Sequence, residues 1–345
     1  MMRHVAANTL TLLILALVLG FGLITWAQSE FRAAGPLTAP LRIEVERGEG
    51  IASVSEKLAK GGAISNEALF RLSARYTGRD DGLRFGEYEF AAGVSMEAIL
   101  DQLNEGGNII RQIVLPEGWT SWQVVEALNA RGDLTGEIAE IPPEGSLAPA
   151  GYDYLRGDTR ESILGRMREE QERLLAQAWE GRDPDLPLET PEELLILASI
   201  IERETGVAEE RGVIAGLFAN RLRRGMRLQT DPTVIYGITE GRGTLGRGLR
   251  ASELVAATPW NTYVIAGLPP TPIANPGGAA LAAAANPEVT EFLYFVADGS
   301  GGHAFARTLD EHNGNVAIWR RIERERAREA EEAAAEGAVV EQGPP

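Results

Sequence analysis

Residues 190–206 read TPEELLILASIIERETG. A threonine, a proline and then a glutamate at the third helical position form a helix start: a hydroxyl cap, the residue that tolerates the first turn, and a capping-box partner. At 100° per residue, Leu194, Leu197, Ala198 and Ile201 fall on one face. Glu204 projects between the directions of Leu197 and Ile200, Glu202 between those of Ala198 and Leu195, and Arg203 toward solvent. The oily stripe therefore ends in carboxylates at its margins. A carboxyl half-buried against an apolar wall stays protonated near neutral pH. Moving it from about 4.3 to about 6.5 takes roughly 3 kcal/mol of destabilisation of the anion. Such a group is a general acid, suited to protonating the leaving oxygen of a glycosidic bond. The bland alternative is a surface helix with charged ends. Periodicity leaves Glu202 and Glu204 equally placed.

Outward from this helix, Glu209–Arg224 carries Val213, Ile214, Leu217, Phe218 and Leu222 on one face, and FLYFV (Phe292–Val296) reads as a buried strand. The charged C-terminus, RRIERERAREAEEAAAEGAVVEQGPP, reads as a helix fading into a disordered tail over 321–345. Upstream, Thr159–Trp179 is helical and highly charged, and 131–160 is Gly/Pro-rich and irregular. IIRQIVL (Ile109–Leu115) is a strand, followed by a helix capped by Thr120 or Ser121. Further upstream, LRIEVE (Leu41–Glu46) alternates as a half-buried strand. Ile51, Val54 and Leu58 recur at helical spacing, Ser65 caps a helix with Leu69, Phe70 and Leu72, GEYEF (Gly86–Phe90) returns as a strand, and Ser95 caps a third helix. Residues 41–107 thus form a small α+β unit, and 28–40, with one glycine and two prolines, a linker.

Residues 9–27, TLTLLILALVLGFGLITWA, carry no charge. As a helix they span roughly 28 Å, the thickness of a bilayer's hydrocarbon core. The run exceeds the ~7–15 apolar residues of a cleaved signal peptide, and Thr25-Trp26-Ala27 fits a small-x-small cleavage site poorly. The reading is a single-pass anchor with residues 1–8 cytoplasmic and the bulk of the chain outside.

Composition narrows the chemistry. The 345 residues are 44% hydrophobic and carry a net charge of −17, which disfavours nucleic acid as a partner. With no cysteine, disulfides, a thiol nucleophile and thiolate metal sites are excluded, and three histidines (His4, His303, His312) argue against a histidine metal cage. Gly241-x-Gly243-x-x-Gly246 matches the dinucleotide fingerprint by letter, but it follows no apolar strand and opens no helix, so it reads as a loop. His303, after GSGG, is placed to touch a ligand.

Five runs carry a resemblance to a known family: AWEGR (178–182), ASIIERET (198–205), FANRLRRGMRLQTDPTVIYG (218–237), PWNTYVIAGLPPTPIANPG (259–277) and LYFVADGSGGHAF (293–305). The chain resembles the endolytic murein transglycosylases, the YceG-like (MltG) proteins. The resemblance implies an α+β fold: a single N-terminal transmembrane helix (9–27), a small LysM-like α+β subdomain (41–107) and a larger α+β catalytic domain (108–320). It implies cleavage of the β-1,4 bond between N-acetylmuramic acid and N-acetylglucosamine within glycan strands, leaving 1,6-anhydro ends. The family's acid/base glutamate maps to Glu204. Asn220, Arg221, Gln229, Asp231, Asn261 and Tyr263 become candidate substrate contacts, each with a structural alternative such as shaping a turn. No cofactor or metal is expected. The implied setting is the periplasmic face of the bacterial inner membrane. There the protein would act on peptidoglycan glycan strands, beside peptidoglycan synthases (penicillin-binding proteins), to terminate nascent strands.

One departure stands out. Where the family carries E-G-x-x-x-P-[DE]-T-Y, this chain has Glu144-Gly145-Ser146-Leu147-Ala148-Pro149-Ala150-Gly151-Tyr152. A mechanism with one essential carboxyl tolerates that loss. The competing reading is a non-catalytic, membrane-anchored peptidoglycan-binding scaffold, and a third is an ordinary hydrolytic muramidase.

Overall fold

In a computed structural model, the backbone is described for residues 2–107 and 109–340, and side chains for 9–107 and 109–330. Met1, Asn108 and residues 341–345, which fall in the segments 1–8, 108–320 and 321–345 read from the sequence, lie outside the described residues. Helices alternate with short two-stranded sheets, a mixed α/β architecture. The chain forms two compact units. One comprises the described residues up to Ile113 with Gly132–Thr135 and Asp153–Thr159; the other comprises Val114–Arg131, Gly136–Tyr152 and the described residues from Arg160 onward.

The first unit begins with helix α1 (Met2–Arg32), of which Thr9–Arg32 is long and apolar enough to cross a membrane. Strand β1 (Leu41–Val45), helices α2 (Ile51–Lys60) and α3 (Glu67–Tyr76), strand β2 (Gly86–Phe90) and helix α4 (Met96–Glu105) follow. β1 and β2 pair antiparallel with Ile43 opposite Tyr88. Val54, Leu58, Phe70, Tyr88, Phe90 and Leu100 form the core. The expected strand and helix spacing holds here, with one change of cap. Asn66, not Ser65, caps α3 by accepting the Leu69 N–H at 2.9 Å, while the Ser65 hydroxyl donates to Glu30 at 3.0 Å.

Segment 28–40, read from the sequence as a linker, begins inside a helix. α1 stays helical to Arg32, and Phe31 is 7% exposed in the first core. The Gly35 N–H reaches the Gly93 and Val94 carbonyls at 3.2 Å, an approach so close that a Cβ on Gly35 would lie 2.2 Å from the Val94 oxygen. Burial of one aromatic ring and these backbone bonds hold the segment against the core despite its turn-forming composition.

Strand β3 (Arg111–Val114) leads to helix α5 (Ser121–Asn129), which Thr120 caps in a full capping box with Gln123. The stretch read as irregular contains β4 (Gly151–Tyr154), the partner of β3. Helix α6 (Arg160–Glu180) precedes α7 (Pro191–Glu204). Thr190 caps α7 by accepting the Glu193 N–H at 3.3 Å. The Glu193 carboxylate reaches back one residue beyond the cap, to the Glu189 N–H at 2.6 Å. A 3-10 turn (Ala208–Glu210) precedes α8 (Arg211–Arg223), so this helix starts two residues later than its periodicity suggests.

Then come α9 (Asp231–Thr239), the short α10 (Ala251–Leu254) and α11 (Gly278–Ala285). The Gly241/Gly243/Gly246 segment is loop between α9 and α10. α11 packs against α6, α7 and α8; its GAALAAAA sequence lets the backbones approach closely. Leu197, Ile201, Ile214, Phe218 and Leu281 fill the second core. A hairpin, β5 (Tyr294–Ala297) with β6 (His303–Ala306), pairs Phe295 with Phe305. It corrects the expected buried strand: β5 starts two residues later than Phe292, and all four of its residues are half-buried. Helix α12 (Leu309–Val340) closes the described chain. Its backbone is helical to Val340, the run being dense in the strong helix formers Ala, Glu and Arg.

Candidate active site

α7 carries its apolar stripe inward, with Leu194, Leu197, Ala198, Ile200 and Ile201 inaccessible, and ends at Glu204. Its two terminal glutamates part company there. Glu202 accepts the Gly277 N–H at 2.9 Å. Burial raises its pKa, with nearby Glu117 adding to the rise and the Gly277 bond opposing it. Arg203 is exposed and donates to the Gly118 carbonyl at 3.2 Å. Glu204 opens on a cavity of about 570 Å3 in the second unit, which Glu202 does not line.

Burial pushes the Glu204 carboxyl up to about 7; Asp231 also raises it, while Thr230, His303 and Arg221 pull it down. Thr230 donates its hydroxyl to Glu204 Oε1. Thr230 is the N-cap of α9, yet its side chain makes no cap bond there. The hydroxyl that would stabilise the helix start by about 1 kcal/mol is turned to the acid instead. Its backbone is held by a buried threonine cluster: the Thr230 N–H donates to Thr262 Oγ1 at 3.0 Å, and Thr233 Oγ1 donates to the Thr230 carbonyl at 2.7 Å.

Four of the six sequence candidates for substrate contact join Glu204 around this cavity: Arg221, Gln229, Asp231 and Tyr263. Arg221 is 5% exposed, its Nε and Nη1 each donating at 2.6 Å, to the Leu293 and Leu228 carbonyls. Burial lowers its pKa. Gln229 is exposed with φ of 49°, its N–H on the Thr262 carbonyl at 3.1 Å. Tyr263 donates its hydroxyl to Asp231 at 2.6 Å. Burial first, and then this bond, raise the phenol's pKa.

Asn220 and Asn261 do not line it. The Asn220 amide donates to the Thr290 carbonyl at 2.8 Å and to the Phe292 carbonyl at 3.2 Å. Asn261 is fully buried, its amide shared among the Glu253, Leu254 and Ala256 carbonyls while its Oδ1 accepts the Tyr263 N–H at 3.0 Å. Both asparagine amides are spent on backbone carbonyls, the structural alternative for such residues.

Thr230, Tyr294 and His312, which the sequence did not single out as contacts, also line the cavity, as does His303, which it did. Tyr294 and His312 stack with ring centres 5.3 Å apart. Burial, with Arg221 second, lowers the His312 pKa. His303 Nδ1 is 2.7 Å from Glu210 Oε2, and the His303 N–H donates to Glu210 Oε1 at 2.8 Å. A Cβ on Gly302 would lie 2.5 Å from that oxygen, so the glycine run before His303 makes room for the carboxylate. The GSGGH spelling was the available signal; nothing in the sequence pairs it with Glu210.

The Pro149–Tyr152 departure lies elsewhere. The Ala150 carbonyl accepts the Leu115 N–H at 3.0 Å, Gly151 begins β4, and none of the four residues lines the Glu204 cavity. Glu144 accepts the Ser121 N–H at 2.8 Å, and burial raises its pKa.

Residues 43–318 match the model of the YceG-like family. The chain belongs to that family. It is 28% identical over 304 residues to the endolytic murein transglycosylase of Bacillus subtilis, covering 79% of this chain and 83% of that protein. To the endolytic murein transglycosylase of Streptococcus pneumoniae serotype 2 it is 27% identical over 91% of its own length and 65% of the relative's. A solved structure, a putative YceG-like protein from Listeria monocytogenes, superposes with a TM-score of 0.50 at 28% identity, covering 80% of this chain and 98% of that one.

Proposed function

We propose that this chain is an endolytic murein transglycosylase with Glu204 as its general acid and base. The observation that carries the reading is a carboxyl raised to about 7 by burial and opening on a polar-lined cavity. Family membership and the names of the relatives support the substrate, the glycan strands of peptidoglycan. In the proposed reaction Glu204 gives its proton to the oxygen leaving C1 of N-acetylmuramic acid as the β-1,4 bond breaks. The C6 hydroxyl of the same sugar then attacks C1 and returns its proton to the Glu204 carboxylate. A 1,6-anhydro ring forms, no water enters, and the acid is regenerated. One carboxyl serves both steps because the substrate supplies the nucleophile. Thr230 bonds one carboxyl oxygen and leaves the other for the proton in transit. Arg221, Gln229, Asp231 and Tyr263, with His303, are the proposed sugar contacts.

In this reading residues 41–107 are a LysM-like wall-binding subdomain and 108–320 the catalytic domain. α1 anchors the chain in the inner membrane with its bulk in the periplasm, and the protein trims nascent strands beside penicillin-binding synthases. Digestion of purified glycan strands followed by mass spectrometry tests the chemistry. New ends one water lighter than hydrolysed ends are expected. Hydrolysed ends would make it a muramidase, and untouched strands would leave a wall-binding scaffold.

A further inference from the structure

In the first unit, a mostly apolar hollow of about 320 Å3 is lined from one side by Ile24, Ala27 and Phe31 of α1 and from the other by Leu69, Leu72 and Tyr76 of α3. Leu72 and Tyr76 stand one helical turn apart and are 65% and 85% exposed. α1 reaches this hollow without a break, and three contacts clip its last turns to the unit: Phe31 in the core, Ser65 on Glu30 at 3.0 Å and Arg32 on Glu97 at 3.3 Å. The position of α3 along the axis of α1 is therefore fixed by the fold.

That position is a depth. The charge-free run of α1 ends at Ala27, with Trp26 beside it, and Glu30 and Arg32 follow. At 1.5 Å per residue, Ile24 to Phe31 covers roughly 10 Å, about the combined depth of the last acyl carbons and the headgroup layer. Leu72 and Tyr76 share their hollow with Ile24 and Ala27, so they lie within that layer. An aliphatic side chain and an amphipathic phenol both suit it. The charged groups around the hollow are balanced: Arg32 pairs with Glu97, Arg71 with Glu67 at 3.2 Å, and Arg75 lies 4.0 Å from Asp80. Among the described residues, the two charged side chains that line the hollow, Arg32 and Glu97, pair with each other.

We propose that the Leu72–Tyr76 face of α3 is immersed in the outer interface of the membrane, with phospholipid filling the hollow beside α1, so that the first unit is seated on the bilayer rather than suspended from it. The inference rests on α1 being a membrane anchor. Lipid in the hollow would cover the exposed Leu72 and Tyr76 side chains together with the apolar wall of α1.

A chain without cysteine permits the test directly. Single substitutions Leu72→Cys, Tyr76→Cys, Gly22→Cys and Glu56→Cys in the full chain, each carrying a nitroxide, are reconstituted in phosphatidylethanolamine/phosphatidylglycerol vesicles. Relaxation by oxygen and by a water-soluble nickel chelate is then compared. Gly22 has open space around it and reports the span; Glu56 on α2 is an exposed reference for water. Oxygen access exceeding nickel access at 22, 72 and 76 and the reverse at 56 is the expected pattern. Lipid exposure at 22 with nickel access at 72 and 76 overturns the seating while leaving the anchor. Nickel access at 22 overturns the anchor and the seating with it. Shielding of 72 and 76 from both reagents means that protein, not lipid, covers the face.

Discussion

His303 Nδ1 lies 2.7 Å from Glu210 Oε2, and the other oxygen of that carboxylate accepts the His303 backbone N–H. One acid thus fixes both the ring and the main chain of a histidine that lines the Glu204 cavity. A carboxylate only accepts, so Nδ1 carries the proton and Nε2 is left for a ligand. A hydrogen bond to a charged group contributes about 1.5–3 kcal/mol, and 1.36 kcal/mol is tenfold in rate. Glu210→Gln is therefore expected to lower kcat/KM on glycan strands by about ten- to hundredfold. Gln keeps an acceptor for the backbone N–H but loses the charge-assisted bond to Nδ1, so a lower melting temperature is expected beside the kinetic loss. Wild-type kinetics in this variant would remove His303 from the site.

Glu204 and Glu202, indistinguishable on the helical wheel, should separate in the test tube. Glu204→Gln keeps the Thr230 bond and removes the transferable proton, so release of anhydro ends should fall by about 10²–10⁴-fold. Glu202→Gln still accepts the Gly277 N–H and should stay within about tenfold of wild type. The reverse order would exchange their roles.

The acid must be protonated in the free enzyme, so kcat/KM should be level on the acid side and fall about tenfold per pH unit above about 7. Two neighbours should move that limb in opposite directions. The Thr230 hydroxyl stabilises the anion and lowers the pKa, so Thr230→Val should shift the limb to higher pH. The Asp231 carboxylate raises it, so Asp231→Asn should shift the limb lower. The test is the sign of the shift in the pH profile, whatever the height of the plateau.

Much of this site was legible in the sequence, and the illegible part has a physical cause. The α7 pattern announced both a helix and two marginal carboxyls, because side-chain direction on a helix follows from spacing alone. Nothing in spacing says which margin faces a cavity; that depends on α9, 26 residues away, turning its cap hydroxyl back toward Glu204. Asn220 and Asn261 have the composition of sugar-binding residues, but amides are equally good at satisfying buried carbonyls, and only the fold reveals which task took them. Likewise the Gly/Pro content of 28–40 signalled a linker, while the burial of Phe31 depends on partners far along the chain.

A carboxyl raised in the fold makes stability depend on pH in a definite direction. The unfolded chain loses the proton near the ordinary value of 4.5, the folded chain near 7, so stability is fully present below 4.5 and declines as pH rises through 7. The difference amounts to roughly 3 kcal/mol at pH 8 and above. Glu204→Gln removes the ionisation, so the inactive variant should melt higher than wild type at pH 8 and about equal to it at pH 5. Calorimetry at the two pH values checks this; a variant less stable than wild type at pH 8 would mean that burial of the acid is not stored against folding.

Asn261 and Gln229 offer the converse separation. Asn261→Ala leaves the Glu253, Leu254 and Ala256 carbonyls and the Tyr263 N–H without the amide that joins them. At about 1 kcal/mol net for each bond, a loss of about 2–4 kcal/mol is expected in denaturant unfolding. Gln229 is exposed at the cavity and bonded through its backbone, so Gln229→Ala should leave unfolding unchanged and raise KM for glycan strands. An Asn261→Ala protein of native stability with a raised KM would restore Asn261 as a sugar contact, and would mean that its three carbonyl partners find water instead.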